Sequence, residues 1–370
     1  MPRFAFWLLP FLIGPALAAM PVATDLSSTW TDAQSTIKDS RARVRRVHHS
    51  TSEPQYGKSQ VYGFSKAGTA LVVGLSQKKH STSFGSGFYI NGQGDLLTNA
   101  HVIQGAEELL VYVNDRGAFS AQVIAEDPDL DLAVLHLDRA TPEVVPLSEE
   151  SPPDGTEVIS VGYPRITDDL YTGKALHSTV VQGTVNSVVP GTSRQGSRMI
   201  AFLQIVAHIN FGNSGGPVID TATGRVVAIM TNAIPYIATD SKGKPVDVQL
   251  TSGISYAVPV ETIRTFLVKN KIVIAAGKPR LVEVDRAPSA RQYFATGDLL
   301  IALLAAWGNN DLDVFELAAR NFRAAVELDP SDSRSAGYLR KTEAVIKLLK
   351  EKAAAASQTS TLPEQSKPQQ

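Results

Sequence analysis

The stretch GSGFYINGQGDLLTNAHVI, residues 85–103, decides the fold. It contains two short apolar runs, GSGFYI and GDLLTNAHVI, which are separated by residues typical of turns. Short runs of apolar, aromatic and β-branched residues bounded by turn residues predict β-strands. The same pattern repeats along residues 69–260, and no helical period intervenes. The sequence therefore predicts antiparallel sheets and argues against a parallel sheet built from alternating strands and helices.

The runs fall into two groups of about six, joined by the Pro- and Glu-rich segment TPEVVPLSEESPPDG. The first group is TALVVGL, SFGSGFYI, GDLLTNAHVI, EELLVYVN, FSAQVIAED and DLAVLHLD; the second is TEVISVGY, STVVQGTVNSVV, RMIAFLQIVAHI, SGGPVID, GRVVAIMTN and GISYAVPV. Strands at this spacing are typical of sandwiches and barrels. We predict a mainly β fold with two six-stranded antiparallel β-barrels, followed by a small α-helical C-terminal region.

Composition excludes several classes of function. The chain has 370 residues, of which 43% are hydrophobic, and its 35 basic side chains nearly balance its 36 acidic ones. Nothing in that balance points to nucleic acid or to an anionic membrane surface. The absence of cysteine excludes disulfides, thiol catalysis and Cys-based zinc sites. The histidines show no metal-ligand spacing, and no Gly-rich phosphate loop is present, so we predict no cofactor, no metal and no nucleic-acid partner.

The first 19 residues have the layout of a secretory signal peptide. One positive residue, Arg3, precedes an apolar run of about a dozen residues, and small residues follow at Ala16, Ala18 and Ala19. An uncleaved membrane anchor is the alternative, but two prolines and a glycine interrupt the run. We expect cleavage at Ala18 or Ala19 and an exported protein with no stable membrane insertion.

The remaining chain divides by composition. The segment VETIRTFLVKNK predicts an amphipathic helix that closes the barrel region, and the residues beyond a short linker are rich in Ala, Leu, Arg and Glu at helical spacing. The predicted divisions are a signal peptide at 1–19, a polar and partly helical segment at 20–68, the barrel domain at 69–270, a linker at 271–288, helices at 289–356 and a disordered tail at 357–370.

A serine at 214 raises the question of catalysis. In FGNSGGPVID, residues 211–220, Ser214 lies between an asparagine and two glycines. The glycines are consistent with a tight turn into a strand. They are equally consistent with a turn that holds Ser214 as a nucleophile. A serine nucleophile needs a base to take its proton and a third group to orient that base.

Candidates for both partners lie in the first half of the barrel region. His101 ends the strand candidate GDLLTNAHVI, and Asp131 lies where the polar DPDLD becomes an apolar strand. Taken singly, His101 fits a buried core histidine, and Asp131 fits a turn residue. Asp127 and Asp129 compete with Asp131, which we prefer because it directly adjoins the buried run.

In combination these motifs resemble the trypsin-like serine proteases of the HtrA/Deg type. The resemblance spans about 200 residues, 69–267, and also includes GRVVAIMT and GISYAVPVETI. It implies a double β-barrel with His101 and Asp131 on the first barrel and Ser214 on the second. It further implies acyl-enzyme catalysis in the cleft between them, with the backbone N–H groups of Gly212 and Ser214 forming the oxyanion hole.

The sequence departs from this family just before the serine. Where the family reads Thr-Asp-Ala-Ala-Ile-Asn-Pro, this chain has IVAHINF. The resemblance implies that His208, Ile209 and Asn210 bind substrate and that His208 lies at the floor of the S1 pocket. An imidazole there either favours an acidic or polar P1 side chain or makes the pocket smaller. Phe211 replaces the family's proline, which leaves the geometry of the loop before Gly212 open.

A second departure follows the closing helix, where the family usually carries a PDZ domain. The helical region instead resembles one tetratricopeptide repeat, with matching positions at Ala306, Ala318, Phe322, Ala325 and Pro330. Three interpretations stay open: a cap packed on the barrels or on a neighbouring subunit, a module that docks a protein partner, and a plain amphipathic helical hairpin.

The leading hypothesis is an exported serine endopeptidase that hydrolyses unfolded or damaged polypeptides in a bacterial periplasm. The alternative is a protein-binding or chaperone-like scaffold with little or no proteolysis. Either is compatible with a homo-oligomer, in which Tyr62, Phe64 and the basic N-terminal segment would pack subunits together as in HtrA trimers.

Overall fold

A computed structural model of the chain describes residues 56–76, 78, 81–114, 116–138, 143–164, 175–207, 209, 212–231, 253–276, 288–308 and 310–359. The expected signal peptide, the basic N-terminal segment, residues 208, 210 and 211, and most of the expected tail lie outside these ranges. No helix in the described ranges is both long and apolar enough to cross a bilayer.

The first half of the barrel region is a seven-stranded antiparallel sheet in the order β5-β4-β1-β2-β3-β7-β6. Helix α1 (Lys58–Ala67) precedes it, and a one-turn helix, α2 (Ala100–Ile103), follows β3. The strands are β1 (Thr69–Ser76), β2 (Ser81–Tyr89), β3 (Asp95–Thr98), β4 (Glu108–Val113), β5 (Gly117–Ser120), β6 (Gln122–Asp127) and β7 (Leu132–His136).

The seventh strand arises because the run FSAQVIAED, predicted as one strand, forms two. Strands β5 and β6 lie at opposite edges of the sheet, and Ala121 alone joins them. Its N–H donates to the Leu109 carbonyl at 3.0 Å, which extends the β4–β5 pairing by one residue before the chain crosses to β7. Because one residue joins the two edge strands, the sheet curls into a half-barrel. The predicted mainly β fold with two antiparallel barrel units is confirmed, with seven strands rather than six in this unit.

The second half is the closed six-stranded antiparallel barrel that the sequence predicts, in the order β10-β13-β12-β11-β8-β9. Its strands are β8 (Glu157–Gly162), β9 (Thr179–Thr192), β10 (Met199–Val206), β11 (Pro217–Asp220), β12 (Val226–Thr231) and β13 (Ile254–Pro259). Helix α3 (Val260–Lys269) follows directly, and it buries Ile263, Phe266 and Leu267 as its periodicity requires.

One hydrophobic cluster joins the two halves. It includes Phe88 and Leu97 from the curled sheet, and Ile159 and Phe202 from the closed barrel. Phe64 of α1 is 1% exposed within the same cluster, and Tyr62 packs against it. Their predicted role in packing subunits together is therefore wrong for Phe64, because the core of its own chain already buries that ring.

Three helices follow: α4 (Ala290–Trp307), α5 (Leu312–Leu328) and α6 (Ser333–Thr359), the last of which continues beyond the expected end at residue 356. Helix α4 shares a hydrophobic cluster with Leu71, Val73 and Tyr112 of the curled sheet. Phe322 of α5 is buried in the same cluster. The helices therefore pack on the barrel region of their own chain, while their identity as a tetratricopeptide repeat stays a prediction.

Candidate active site

The register of β3 and β7 brings the candidate base and its orienting carboxylate together. Thr98, the last residue of β3, pairs with Ala133 near the start of β7. His101 lies three residues after Thr98 on helix α2, and Asp131 immediately precedes β7. Neighbouring antiparallel strands place the end of one beside the start of the next. The two side chains therefore meet at one end of the sheet.

Three contacts join His101 to Asp131. The imidazole Nδ1 lies 2.9 Å from Oδ1 and 2.8 Å from Oδ2 of the carboxylate, and the backbone N–H of His101 donates to Oδ1 at 3.0 Å. An ionised carboxylate only accepts hydrogen bonds, so Nδ1 must carry the proton. The lone pair of the neutral ring then lies on Nε2, the nitrogen that a general base uses.

The rest of the Asp131 environment holds this carboxylate in place. The residue has a left-handed backbone with φ of 58°, and its carbonyl accepts a hydrogen bond of 2.9 Å from Asn99 Nδ2. Oδ2 accepts a second bond of 2.7 Å from Thr231 Oγ1, and Arg194 Nη1 lies 3.6 Å away. Asp131 thus has contacts from three places in the fold: Asn99 after the end of β3, Thr231 of the closed barrel and Arg194 of the β9–β10 loop.

These partners decide the charge of Asp131. Burial on its own would raise the pKa of this carboxyl, which is 2% exposed. The hydrogen bond and charge of His101, the charge of Arg194 and the Thr231 hydroxyl act in the opposite direction and together hold the pKa below its ordinary value. Asp131 is therefore an anion at neutral pH, which stabilises a protonated imidazole beside it.

The competing aspartates have other partners. Asp127 Oδ1 accepts from the backbone N–H groups of Asp129 and Leu130, at 3.1 and 2.9 Å. Asp129 Oδ2 binds Arg198 Nε at 3.0 Å and the Ser197 hydroxyl. These two carboxylates thus fasten the β9–β10 loop and their own turn, whereas Asp131 is the one that binds His101.

Ser214 lies on a turn that leads into β11. The Gly216 N–H donates to the Asn213 carbonyl at 2.9 Å and closes the turn. Gly215 has φ of 83°, and a Cβ on it would collide with the Ser86 carbonyl oxygen. The positive φ and the close approach to β2 explain the first glycine after the serine. The second is explained by β8, because a Cβ on Gly216 would collide with the Val161 carbonyl oxygen.

Gly212 is constrained in the same way. Its φ is 97°, and a Cβ there would collide with the carbonyl oxygen of Tyr163. Position 212, which is expected to contribute an N–H group to the oxyanion hole, therefore accepts only glycine. Of the expected substrate residues, His208 and Asn210 lie outside the described chain, and Ile209 packs partly buried against the core of the closed barrel.

The Ser214 hydroxyl is buried, and no described residue, His101 included, forms a hydrogen bond with it. A serine–histidine bond of this kind is often long without substrate and tightens when substrate binds. No group of three or more side chains able to hold a metal ion occurs in the described part of the chain.

Sequence reasoning missed the other groups that surround the site. Thr231 is the last residue of GRVVAIMT. This motif contributes to the family resemblance, but its sequence indicates no functional residue. Asn99 lies two residues before His101, so its position offered a signal. Arg194 lies in a polar loop with no local pattern, and only the folded chain brings it to Asp131.

Comparison with known proteins agrees with this geometry. Residues 85–229 match the family model described as a trypsin-like peptidase domain. A probable periplasmic serine endoprotease, DegP-like, from Pseudomonas fluorescens is 34% identical over 186 residues, which cover 50% of this chain and 34% of the relative. Serine protease HTRA1 of Xenopus laevis is 32% identical over 204 residues, 54% of this chain and 39% of the relative.

A crystal structure of a Mycobacterium tuberculosis protease in its active form also aligns, with 21% identity and a TM-score of 0.47 over 59% of this chain and 87% of that one. The chain spans between a third and two fifths of the length of the two curated relatives above. Residues 85–229 are thus similar to a trypsin-like peptidase domain, and the chain is similar in sequence to serine protease HTRA1 and to a DegP-like serine endoprotease.

Proposed function

We propose that this protein is a serine endopeptidase that hydrolyses peptide bonds through an acyl-enzyme formed on Ser214. The observation that carries the proposal is the pairing of His101 with a buried, anionic Asp131, together with a serine on a glycine-constrained turn. The family match and the serine protease relatives support it.

In the first half of the reaction, Ser214 Oγ attacks the peptide carbonyl carbon while His101 Nε2 takes the hydroxyl proton. The carbonyl oxygen becomes an oxyanion, which we assign to the N–H groups of Gly212 and Ser214. One such donor contributes about 2.7–4 kcal/mol to lowering a barrier. The C–N bond then breaks, and the protonated His101 gives its proton to the leaving amine.

The second half repeats this chemistry with water. A water molecule attacks the ester carbon, His101 takes one of its protons, and the C–Oγ bond breaks with return of that proton to Ser214. Asp131 stabilises the imidazolium in both halves and remains ionised throughout. Because the pKa of Asp131 is held low, this stabilisation persists over the neutral pH range.

The substrate assignment rests on similarity. We propose unfolded or damaged polypeptides in a periplasm, since a relative is named a periplasmic serine endoprotease and residues 1–19 have the layout of a signal peptide. We also propose that residues 208–210 bind the substrate and that His208 favours an acidic or polar P1 side chain. Profiling the cleavage of a denatured protein tests this preference: cuts after Val, Ala or Ile would contradict it.

The test of the activity compares casein hydrolysis by the wild type, Ser214→Ala and His101→Ala. We expect hydrolysis by the wild type and loss of it in both variants, with unchanged folding by circular dichroism. A wild type that binds casein without cleaving it would contradict the proposal and favour the scaffold alternative.

A further inference from the structure

The side chain of Ser86 crosses from the curled sheet to the turn that carries Ser214. Ser86 is a buried residue of β2, and its hydroxyl donates to the Gly212 carbonyl at 2.6 Å. The same hydroxyl oxygen accepts from the Tyr163 backbone N–H at 3.0 Å. One donated and one accepted bond, both to backbone, fix the direction of the hydroxyl completely.

The backbone of Ser86 binds the same turn. Its N–H donates to the Ser214 carbonyl at 2.7 Å. Its own carbonyl accepts from Thr98 Oγ1 at 2.7 Å, three residues before His101 on the chain. A single residue thus contacts the nucleophile turn at two carbonyls and is itself held by the strand that leads to the base.

These two carbonyls flank the peptide group that carries the Ser214 N–H. The Gly212 carbonyl belongs to the peptide plane before it, and the Ser214 carbonyl to the plane after it. The peptide between them is held from the turn itself, because the Asn213 carbonyl accepts from the Gly216 N–H. With both neighbouring planes fixed by Ser86, the direction of the Ser214 N–H is fixed as well.

Gly212 makes such a restraint necessary. With φ of 97° and no side chain, it can rotate its peptide planes more freely than a residue that carries a Cβ. A rotation of the plane between Gly212 and Asn213 would change the angle between the two N–H groups that must converge on one oxygen. Preorganised donors are effective only while they point at that oxygen.

We propose that Ser86 is a positioning residue for the oxyanion hole, whose hydroxyl fixes the Gly212–Asn213 peptide and whose N–H fixes the Ser214 carbonyl. This inference rests on the proposed function. Ser86 touches neither the substrate nor the reacting atoms. It acts through the peptide planes on each side of the Ser214 N–H, and it couples the two halves of the cleft at the point where the reaction takes place.

The test measures steady-state hydrolysis of a peptide by Ser86→Ala. Misplacement of a catalytic group by about 1 Å can cost about 100-fold in rate, so we expect kcat to fall about 10- to 100-fold with KM little changed. A peptide boronate, which forms a tetrahedral adduct on serine, should bind more weakly by the same factor as kcat/KM falls. Ser86→Thr, which keeps the hydroxyl, should recover most of kcat.

Thr69→Val is the matched control, because it removes a different buried hydroxyl bond, from Thr69 Oγ1 to the Ser65 carbonyl at 2.7 Å, on neighbouring strand β1. We expect both variants to lower Tm to a similar extent, and only Ser86→Ala to lower kcat. Equal losses of kcat in the two variants, or a wild-type kcat in Ser86→Ala, would overturn the inference alone. A wild type with no activity and no boronate binding would overturn the proposed function as well.

Discussion

The two halves of the candidate site differ in how completely the candidate catalytic side chains are bonded. On the curled sheet, both carboxylate oxygens of Asp131 have partners, and His101 is held through its ring and its backbone N–H. On the closed barrel, the Ser214 hydroxyl is buried, and no described group is bonded to it. The acid–base pair therefore contributes to stability, whereas the Ser214 hydroxyl gains no stabilising hydrogen bond from the described residues.

This difference indicates which interactions position each half. The His101–Asp131 pair follows from strand register, because β3 ends and β7 begins at the same end of the sheet. Ser214 depends on a turn of glycines and on contacts from β2 across the cleft. Substitutions in the two halves should therefore separate effects on catalysis from effects on folding.

Replacement of Ser214 by alanine should have the largest catalytic effect and no cost in stability. Removing a triad serine in a comparable enzyme lowers kcat by about 10⁶-fold. Because the lost hydroxyl has no described partner, the free energy of unfolding should stay constant or rise slightly. Peptide hydrolysis and urea denaturation measure the two quantities.

Ser160→Ala is the control for that variant. Ser160, on β8, also has a buried hydroxyl with no described partner. The two variants should change stability alike, and only Ser214→Ala should lose activity. A clear loss of stability in Ser214→Ala alone would show that its hydroxyl is bonded in solution and would contradict the contrast between the two halves.

Replacement of Asp131 by asparagine should lower both activity and stability. Asparagine tolerates the left-handed backbone at this position, so the fold is retained. Its amide cannot hold the imidazole in the required tautomer, and we expect kcat to fall about 10⁴-fold. The free energy of unfolding should fall by about 1.5–3 kcal/mol, the range for hydrogen bonds to a charged group. If Asp131→Asn were as stable as the wild type in urea denaturation, the assignment of Asp131 as a stabilising group would be contradicted.

The pH dependence of stability should reveal the same carboxylate. The pKa of Asp131 is lower in the folded protein than in the unfolded chain, where an aspartate has a pKa of about 3.9. The contribution of Asp131 to the free energy of unfolding is therefore fully present above about pH 3.9. It is lost as the pH falls through the lower pKa of the folded protein. The stability difference between the wild type and Asp131→Asn should shrink in that acid range. A difference that grows toward low pH would contradict a depressed pKa.

Replacement of Thr231 by valine should have the smallest effect. The two side chains have nearly the same shape, so the change keeps the packing and removes the hydroxyl that donates to Asp131 Oδ2 at 2.7 Å. We expect kcat to fall about 10-fold, the equivalent of about 1.4 kcal/mol, because the carboxylate keeps its other partners. A loss as large as that of Asp131→Asn would show that Thr231 dominates the orientation of the carboxylate.

Local patterns predicted much of this molecule. The strand runs of the closed barrel and the closing helix follow from short stretches of sequence, and the contexts around His101, Asp131 and Ser214 predict these residues as the candidate triad. The division of one predicted strand at Ala121 was not foreseeable, because it depends on how far the whole sheet curls. Ser86 and Gly212 are 126 positions apart, so no local pattern reveals their hydrogen bond.

The central claim is that Ser214 is an activated nucleophile. Its most direct test treats the wild type and Ser214→Ala with a fluorophosphonate and locates the adduct by mass spectrometry of the digested protein. We predict one adduct per chain, on the peptide that contains Ser214, and none in the variant. A wild type that stays unmodified, or an adduct on another serine, would contradict the account.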